Sequence, residues 1–384
     1  MDLKKAKIIH LIASTGMGGA EQVLIDICTS LRNDRFQFEA AIFKSPDKSM
    51  HCQLAEALHS RDVKVHYITM KSPIYTHGCE AFRIARLMAR QDISILHCHG
   101  SRANVIGVLA AKISGTPVIS TVHGWITDSR KMMFYKWLDL QALKHHDWLL
   151  PVSERLRNEL LQHHIDTNRL TLLRNIPPAG NGSKNVTKHS TGAKDVIQLG
   201  YVGRISKEKG IDCLLAAMKI LNSRQSCNLH VIGDGPERQS AEQRVQEWGL
   251  EKKVFFHGYV RDMERYYKML DVLILPSFTE GTPLVVLEAM TFGLAIIATR
   301  VGGIPEILTD GENGIIVNPG STDELAAAIA YLLDKPERID DLGNSAIQRV
   351  SSLCNREEWE RTLCMVYSNL VESYGKYIHG GNER

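Results

Sequence analysis

Residues 271–290 read DVLILPSFTEGTPLVVLEAM. The run 272–275 is apolar, branched and short, and Pro276 follows it, which suits a buried strand better than a helix. Apart from Phe278, residues 277–282 are small, polar or acidic and read as a loop. The apolar stretch after Pro283 reads as a helix, with Pro283 expected at its first position, where a missing N–H costs nothing. Glu280 then stands at the helix mouth and Glu288 about two turns inside. The first-turn N–H groups of a helix have no intrahelical acceptors, so they suit an anionic or hydroxyl-rich ligand. A loop carboxylate can accept from hydroxyls or face developing positive charge. A carboxylate inside the helix, beside an apolar wall, can hold a ribose. The plainer reading is an acidic helix start that only favours the macrodipole.

The same strand–loop–helix unit repeats in both directions along the chain. Upstream, strands are expected at 7–13, 38–43, 64–70, 93–99, 117–124 and 147–153, with helices at 21–31, 51–60, 80–90, 104–113 and about 130–146. Residues 178–194, PAGNGSKNVTKHSTGAK, lack large apolar side chains and read as a linker. Beyond it, strands are expected at 196–203, 228–235, 253–259, 271–277, 294–303 and 314–320. Helices are expected at 210–222, 238–248 and 262–269, after residue 283, and from 322 onwards. Such alternation defines an α/β chain with two doubly wound parallel sheets. The expected domains are 1–178, a linker at 179–194, 195–356, and a terminal helix at 357–384. Ligands of such sheets bind at the carboxyl ends of strands, so a cleft between the domains is the expected site.

Composition narrows the function classes. A length of 384 residues with 44% hydrophobic content accommodates two cores. A net charge of +3 gives no reason to expect a nucleic-acid partner. The eight cysteines, at 28, 52, 79, 98, 213, 227, 354 and 364, form no CxxC pair and fit reduced thiols in the cytoplasm. No apolar run approaches the ~20 residues of a membrane span. The amino-terminal apolar run is expected to be a first strand, not a signal peptide.

Several loops carry candidate chemistry. Gly16, Gly18 and Gly19 follow the first strand and open a helix, where backbone can approach a phosphate. They do not form the dinucleotide fingerprint. Gly203 and Arg204 end a strand and Lys209 begins a helix; a fork of donors and a mobile ammonium suit a diphosphate. His123, followed by Gly124, ends another strand and can donate to a hydroxyl or phosphate oxygen. Gly258, Tyr259 and Val260 are candidates for presenting backbone groups to a nucleobase. Gly233–Pro236 and Gly302–Glu306 are further strand-end turns. His97 and His99 share a strand face, but no further ligand cluster has metal spacing, so no metal site is assigned. The segment 129–145, SRKMMFYKWLDLQALKH, mixes aromatic and basic residues. It reads either as a helix packed on the sheet or as one resting on an anionic membrane.

These motifs resemble the retaining glycosyltransferases of the GT-B fold, the large family-4 group also called glycosyl transferases group 1. The resemblance rests on the glycine loop 16–21, His123 in VHGW, Arg204 with Lys209, the GDGPE turn and Glu280-x7-Glu288. It implies two Rossmann-like domains facing across a cleft and transfer of a sugar from a nucleoside diphosphate sugar, UDP- or GDP-linked, to an acceptor hydroxyl with retention. It further implies that Arg204 and Lys209 clamp the diphosphate, Glu280 contacts the donor sugar, Glu288 holds the ribose, and amides of Gly281, Thr282, Pro283 and Leu284 line the site (Pro283 by its backbone alone). Gly18 and Gly19 would approach the phosphates and His123 would contact sugar or phosphate; Glu280, His123, Arg204 and Lys209 are the catalytic candidates. No metal or other cofactor is implied. The implied acceptor is a glycan or lipid-linked glycan of a bacterial cell surface, met in the cytoplasm or at the inner membrane face, with peripheral membrane contact. A nucleotide-sugar epimerase of the same fold and a non-catalytic nucleotide-sugar binding module are the alternatives.

Overall fold

The computed structural model describes residues 5–14, 16–31, 35–44, 52–69, 77–125, 129–178, 196–222 and 227–380, with side chains to 374. The expected linker 179–194 lies outside the described residues. The chain divides into one unit of Met1–Arg174 with Arg356–Arg384 and a second of Asn175–Asn355.

The first unit contains β1 (Ala6–Ile12), α1 (Gly19–Ser30), β2 (Phe36–Lys44), α2 (Gln53–His59), β3 (Lys64–Thr69) and α3 (His77–Gln91). It continues with β4 (Ile95–His99), α4 (Ser101–Ser114), β5 (Val118–Val122), α5 (Arg130–Leu143), β6 (Trp148–Pro151) and α6 (Glu154–Gln162). Its six strands are parallel, in the order β3-β2-β1-β4-β5-β6. Strands β4 and β5 are buried along their whole length, as a sheet covered on both faces requires. Helices α5 and α6 start where Ser129 and Ser153 hydroxyls accept from the amides of Met132 and Leu156. Helix α6 has no counterpart in the sequence reading; its apolar positions are few and its surface is highly charged.

The second unit runs β7 (Ile197–Val202), α7 (Ile211–Ile220), β8 (Cys227–Ile232), α8 (Arg238–Glu247), β9 (Val254–Gly258), α9 (Met263–Met269) and β10 (Val272–Leu275). Then follow α10 (Leu284–Thr291), β11 (Ala295–Thr299), the short α11 (Ile304–Ile307), β12 (Ile315–Val317), α12 (Thr322–Asp334) and α13 (Glu337–Leu353). This sheet is also parallel, in the order β12-β11-β10-β7-β8-β9. Strand order reverses between β7 and β10, so the loops after these two strands diverge and leave a crevice at their carboxyl ends. At the other end of the pair, the Asp271 carboxylate accepts from the Gln198 amide at 2.8 Å, locking β7 to β10. Leu199, Tyr201, Val272 and Ile274 are buried in one core cluster with α7 and α12.

The last helix, α14 (Arg356–Gly380), belongs to the first unit. Tyr367 is fully buried there, against Phe36, Phe38 and His97. Tyr374 donates to Asp147, and Arg356 to the Ser30 hydroxyl. No helix among the described residues is long and apolar enough to cross a membrane.

Candidate functional site

The β7/β10 switch point gathers the charged residues of the second unit. After β7 the chain runs through Gly203, Arg204 and a single 3-10 turn, Lys207–Lys209, into α7. After β10 it runs through Pro276 and Glu280 into α10. The two loops are joined backbone to backbone, since the Phe278 amide donates to the Glu208 carbonyl at 2.8 Å. Gly210 lies at φ +70°, and a Cβ there would stand 2.0 Å from the Pro276 carbonyl oxygen. Only glycine permits both the left-handed backbone and that approach.

This junction brings Lys209 to Glu280. The ammonium stands 2.7 Å from Oε1, and the same oxygen accepts from the Ser277 hydroxyl at 2.7 Å. The Glu280 carboxylate is nearly enclosed, while Lys209 keeps part of its surface in solvent. Arg204 is exposed on the same loop, its carbonyl held by the Tyr201 hydroxyl at 2.8 Å.

The loop carbonyls of the signature segment are held from behind. Gly303 donates to the Gly281 carbonyl at 2.7 Å, the Asn175 side-chain amide to the Thr282 carbonyl at 2.9 Å, and Val286 to the Pro283 carbonyl at 3.2 Å. With those carbonyls engaged, the peptide planes are fixed, and the N–H groups of Leu284 and Val285 precede the first hydrogen bond of α10. Gly302, at φ +57°, lies so near that a Cβ would stand 1.9 Å from the Glu280 carbonyl oxygen.

Pro283 corrects the sequence reading. It caps α10 from outside, at φ −73° and ψ 114°, and Leu284 is the first helical residue. Its extended backbone turns the chain into the helix instead of beginning it. Glu288 is consequently the fifth helical residue, nearer the mouth than two turns. Its Oε2 accepts from the Tyr267 hydroxyl at 2.7 Å. Tyr267 is buried and stacked on Phe292, and burial together with the Glu288 charge pushes its hydroxyl pKa well up.

Gly258, Tyr259 and Val260 lie at the end of β9, two strands from β7. The Gly233 amide donates to the Gly258 carbonyl, and the Gly203 amide to the Ile232 carbonyl, which ties the ends of β7, β8 and β9 together. Tyr259 is exposed at that edge.

The other candidates belong to the first unit. Gly16, Gly18 and Gly19 are exposed, and Gly18 caps α1 in extended backbone. Glu21 folds back toward Gly18, and burial raises its pKa. His123 follows β5 directly and is partly exposed. Burial lowers its pKa to about 4. Its Nε2 lies 3.4 Å from His99 Nδ1, and His99 Nε2 lies 2.9 Å from His10 Nδ1. Trp125, two residues on, donates to Asp139 at 2.6 Å, and Asp139 also takes Ser101 and Asn104. Asp139 therefore anchors the loop that carries His123.

Among the described residues, His10, His97 and His99 form a histidine cluster with ligand atoms within 4.8 Å of one another. Its geometry is that of packed rings. His97 and His99 stack at 4.5 Å and 23°, His10 and His99 at 5.2 Å and 28°. Both His97 nitrogens are also engaged, by Tyr367 and Thr121.

Asn175, Ser277, Tyr267 and Asp139 were not anticipated from sequence. Ser277 lies inside the signature stretch and could have been suspected there. The others act across 14 or more positions, and no local pattern marks them.

Comparison with known proteins places this geometry. Residues 17–176 match the model for Glycosyltransferase Family 4, and residues 184–349 match that for Glycosyl transferases group 1. The chain belongs to this glycosyltransferase family. It is similar to the capsular polysaccharide biosynthesis glycosyltransferase CapM of Staphylococcus aureus, with 26% identity over 97% of this chain and 100% of that protein. It is also 25% identical to the Escherichia coli UDP-Gal:alpha-D-GlcNAc-diphosphoundecaprenol alpha-1,3-galactosyltransferase, over 86% of this chain and 88% of that protein. Among solved structures, Anabaena HepE in complex with UDP-glucose superposes with a TM-score of 0.79, 19% identity, and coverage of 94% of this chain and 99% of that one. The fold is GT-B, built from two Rossmann-like α/β units.

Proposed function

We propose that the protein transfers a sugar from a nucleoside diphosphate sugar to an acceptor hydroxyl with retention of anomeric configuration. The observation that carries this reading is the Lys209–Glu280–Ser277 cluster at the β7/β10 switch point, beside the open first turn of α10. The α10 amides, Lys209 and Arg204 receive the diphosphate, where fixed donors stabilise the charge that grows as the glycosidic bond breaks. Glu280 faces the donor sugar, whose reacting carbon becomes oxocarbenium-like. Glu288 takes ribose hydroxyls. The acceptor attacks from the face the diphosphate leaves, and a departing phosphate oxygen receives the acceptor proton. The new bond keeps the donor configuration, and the nucleoside diphosphate departs.

This reading calls for no metal or other cofactor, because the cationic side chains and helix amides neutralise the leaving group. A UDP-sugar is the assigned donor class, supported by the HepE complexes with UDP and UDP-glucose. The assigned acceptor is a cell-surface polysaccharide or lipid-linked glycan, supported by the functions of CapM and the galactosyltransferase. Such an acceptor places the work in the cytoplasm, at the inner membrane face. His123 and the 16–19 turn are assigned to ligand contact from the first sheet's carboxyl edge.

A thermal-shift screen of nucleotide sugars identifies the donor, since a ligand of the native state raises the melting temperature. The product formed from that donor is then examined by proton NMR. Retained configuration supports the mechanism, and an inverted product overturns it. Transfer by Glu280→Ala at a near wild-type rate overturns the site assignment.

A further inference from the structure

Three histidines climb the first sheet on one face. His10 on β1 is the register partner of His97 on β4, and His99 stands two residues further on. His99 is in turn the register partner of Thr121 on β5, and His123 stands two residues further on. Residues two apart in a strand share a face, so His10, His99 and His123 form a diagonal from within β1 to the carboxyl edge of β5. The rings are joined nitrogen to nitrogen. His10 Nδ1 lies 2.9 Å from His99 Nε2, and His99 Nδ1 lies 3.4 Å from His123 Nε2. His97 stacks on this line without joining it, because its nitrogens are engaged by Tyr367 and Thr121. His10 and His99 are buried, and His123 is partly exposed.

A proton count gives the line its direction. Burial lowers the pKa of all three rings, so each is neutral near pH 7, with one N–H and one bare nitrogen. Three neutral rings carry three N–H protons, and the two links use two of them. The third proton sits at one end of the line, on His10 Nε2 or on His123 Nδ1. Among the described residues, His10 Nε2 is buried and has no hydrogen-bond partner. Buried N–H groups without acceptors are rarer in folded proteins than under-satisfied acceptors, and each bears its full desolvation cost. The third proton therefore belongs on His123 Nδ1, where solvent or a ligand oxygen can accept it.

We propose that His10 and His99 are positioning residues that hold His123 as its Nδ1–H tautomer, so that it offers the ligand a hydrogen-bond donor and not a base. Both links then run outward, His10 Nδ1–H donating to His99 Nε2 and His99 Nδ1–H to His123 Nε2. The bond made at one ring nitrogen sets the state of the other. His123 Nε2, occupied by His99, cannot take a proton from an acceptor hydroxyl, and Nδ1 already carries one. What Nδ1–H can meet is an oxygen lone pair of a phosphate or a sugar. The Trp125–Asp139 bond fixes the loop just beyond the ring. The proposal rests on the assignment of His123 to ligand contact and deepens it by naming the chemistry of that contact.

The test is long-range proton–nitrogen NMR of the ligand-free, full-length protein with isotope-labelled histidine at neutral pH. Protonated and bare ring nitrogens resonate far apart, so each tautomer is read directly. His10, His99 and His123 should all carry the proton on Nδ1. In His99→Phe the His123 ring should become a mixture of tautomers, and kcat/KM for the identified donor should fall by about tenfold, the scale of one oriented hydrogen bond. His99→Asn, whose side-chain N–H stands near the place of Nδ1–H, should restore both. A His123 proton on Nε2 in the wild type overturns the proposal. So does a His99→Phe protein that keeps the wild-type His123 tautomer and rate. The spectrum is taken without ligand, so its outcome is independent of the donor and of whether the product is retained or inverted.

Discussion

The Lys209 ammonium rests 2.7 Å from Glu280, across 71 positions of sequence and between the two loops that flank the strand-order reversal. Glu280 thus occupies, in the free protein, part of the cationic environment that the donor diphosphate would share. Its carboxylate is nearly enclosed, so removal of the cation leaves it with Ser277 as its remaining partner among those described above. Lys209→Met should lower kcat/KM by about 10²–10³-fold, the scale of losing one donor to transition-state charge. A urea titration should show a stability change of only about 1 kcal/mol, because Lys209 is partly solvated. Full activity in this variant would remove Lys209 from the chemistry.

The Asn175 side chain holds the Thr282 carbonyl at 2.9 Å from the first residue of the second unit. Asn175→Ala should therefore loosen the signature loop without touching ligand. The expected result is a loss of roughly 1 kcal/mol in stability and a reduced kcat, with nucleotide affinity little altered. Steady-state kinetics with the identified donor, beside UDP titration, check this. A loss confined to UDP affinity would contradict a positioning role.

Gly302 and Gly210 predict a different behaviour. An added methyl at either meets a carbonyl oxygen within 2.0 Å and requires left-handed backbone besides. Gly302→Ala and Gly210→Ala should each cost more than the ~1–2 kcal/mol of the conformation alone and should abolish donor binding. Gly249 serves as the control: it also lies at positive φ but has open space around it. Gly249→Ala should lower the melting temperature modestly and leave binding intact.

Much of this architecture is legible in the sequence. The apolar runs at 272–275 and 295–299 are too short for helices and too continuous for half-exposed strands. Their alternation with amphipathic stretches implied parallel sheets, and the charged residues fell at strand ends. What escaped was tertiary. Pro283 was misplaced by one position because the ψ of a cap depends on where the preceding loop is tethered, here at Gly303 and Asn175. The stack of His10, His97 and His99 needed the register of β1 against β4, in which His10 faces His97. Helix α6 was missed because its buried residues are only Leu156 and Leu160, too few for a visible period.

That histidine stack gives the first unit an acid sensitivity. Burial lowers the pKa of His10 to about 3 and of His123 and His146 to about 4, and holds His97 and His99 well below the ordinary 6.5. The unfolded chain takes up protons near 6.5, where the folded chain does not. Stability from these groups is therefore complete above about pH 6.5 and falls as pH drops toward 4. The carboxyls of Glu21, Asp26 (pushed up to about 6) and Asp139, all raised by burial, act in the opposite sense, but they are three groups against five. Urea midpoints between pH 7 and 4.5 should decline steadily. A flat profile would mean that the rings are not held neutral.

The central claim is that the loops after β7 and β10 together hold a nucleoside diphosphate. Calorimetric titration of UDP into the wild type and into Arg204→Met/Lys209→Met tests it most directly. The account predicts saturable one-to-one binding by the wild type and a loss of at least about tenfold, about 1.4 kcal/mol, in the double variant. Unchanged UDP affinity in a folded double variant would contradict it.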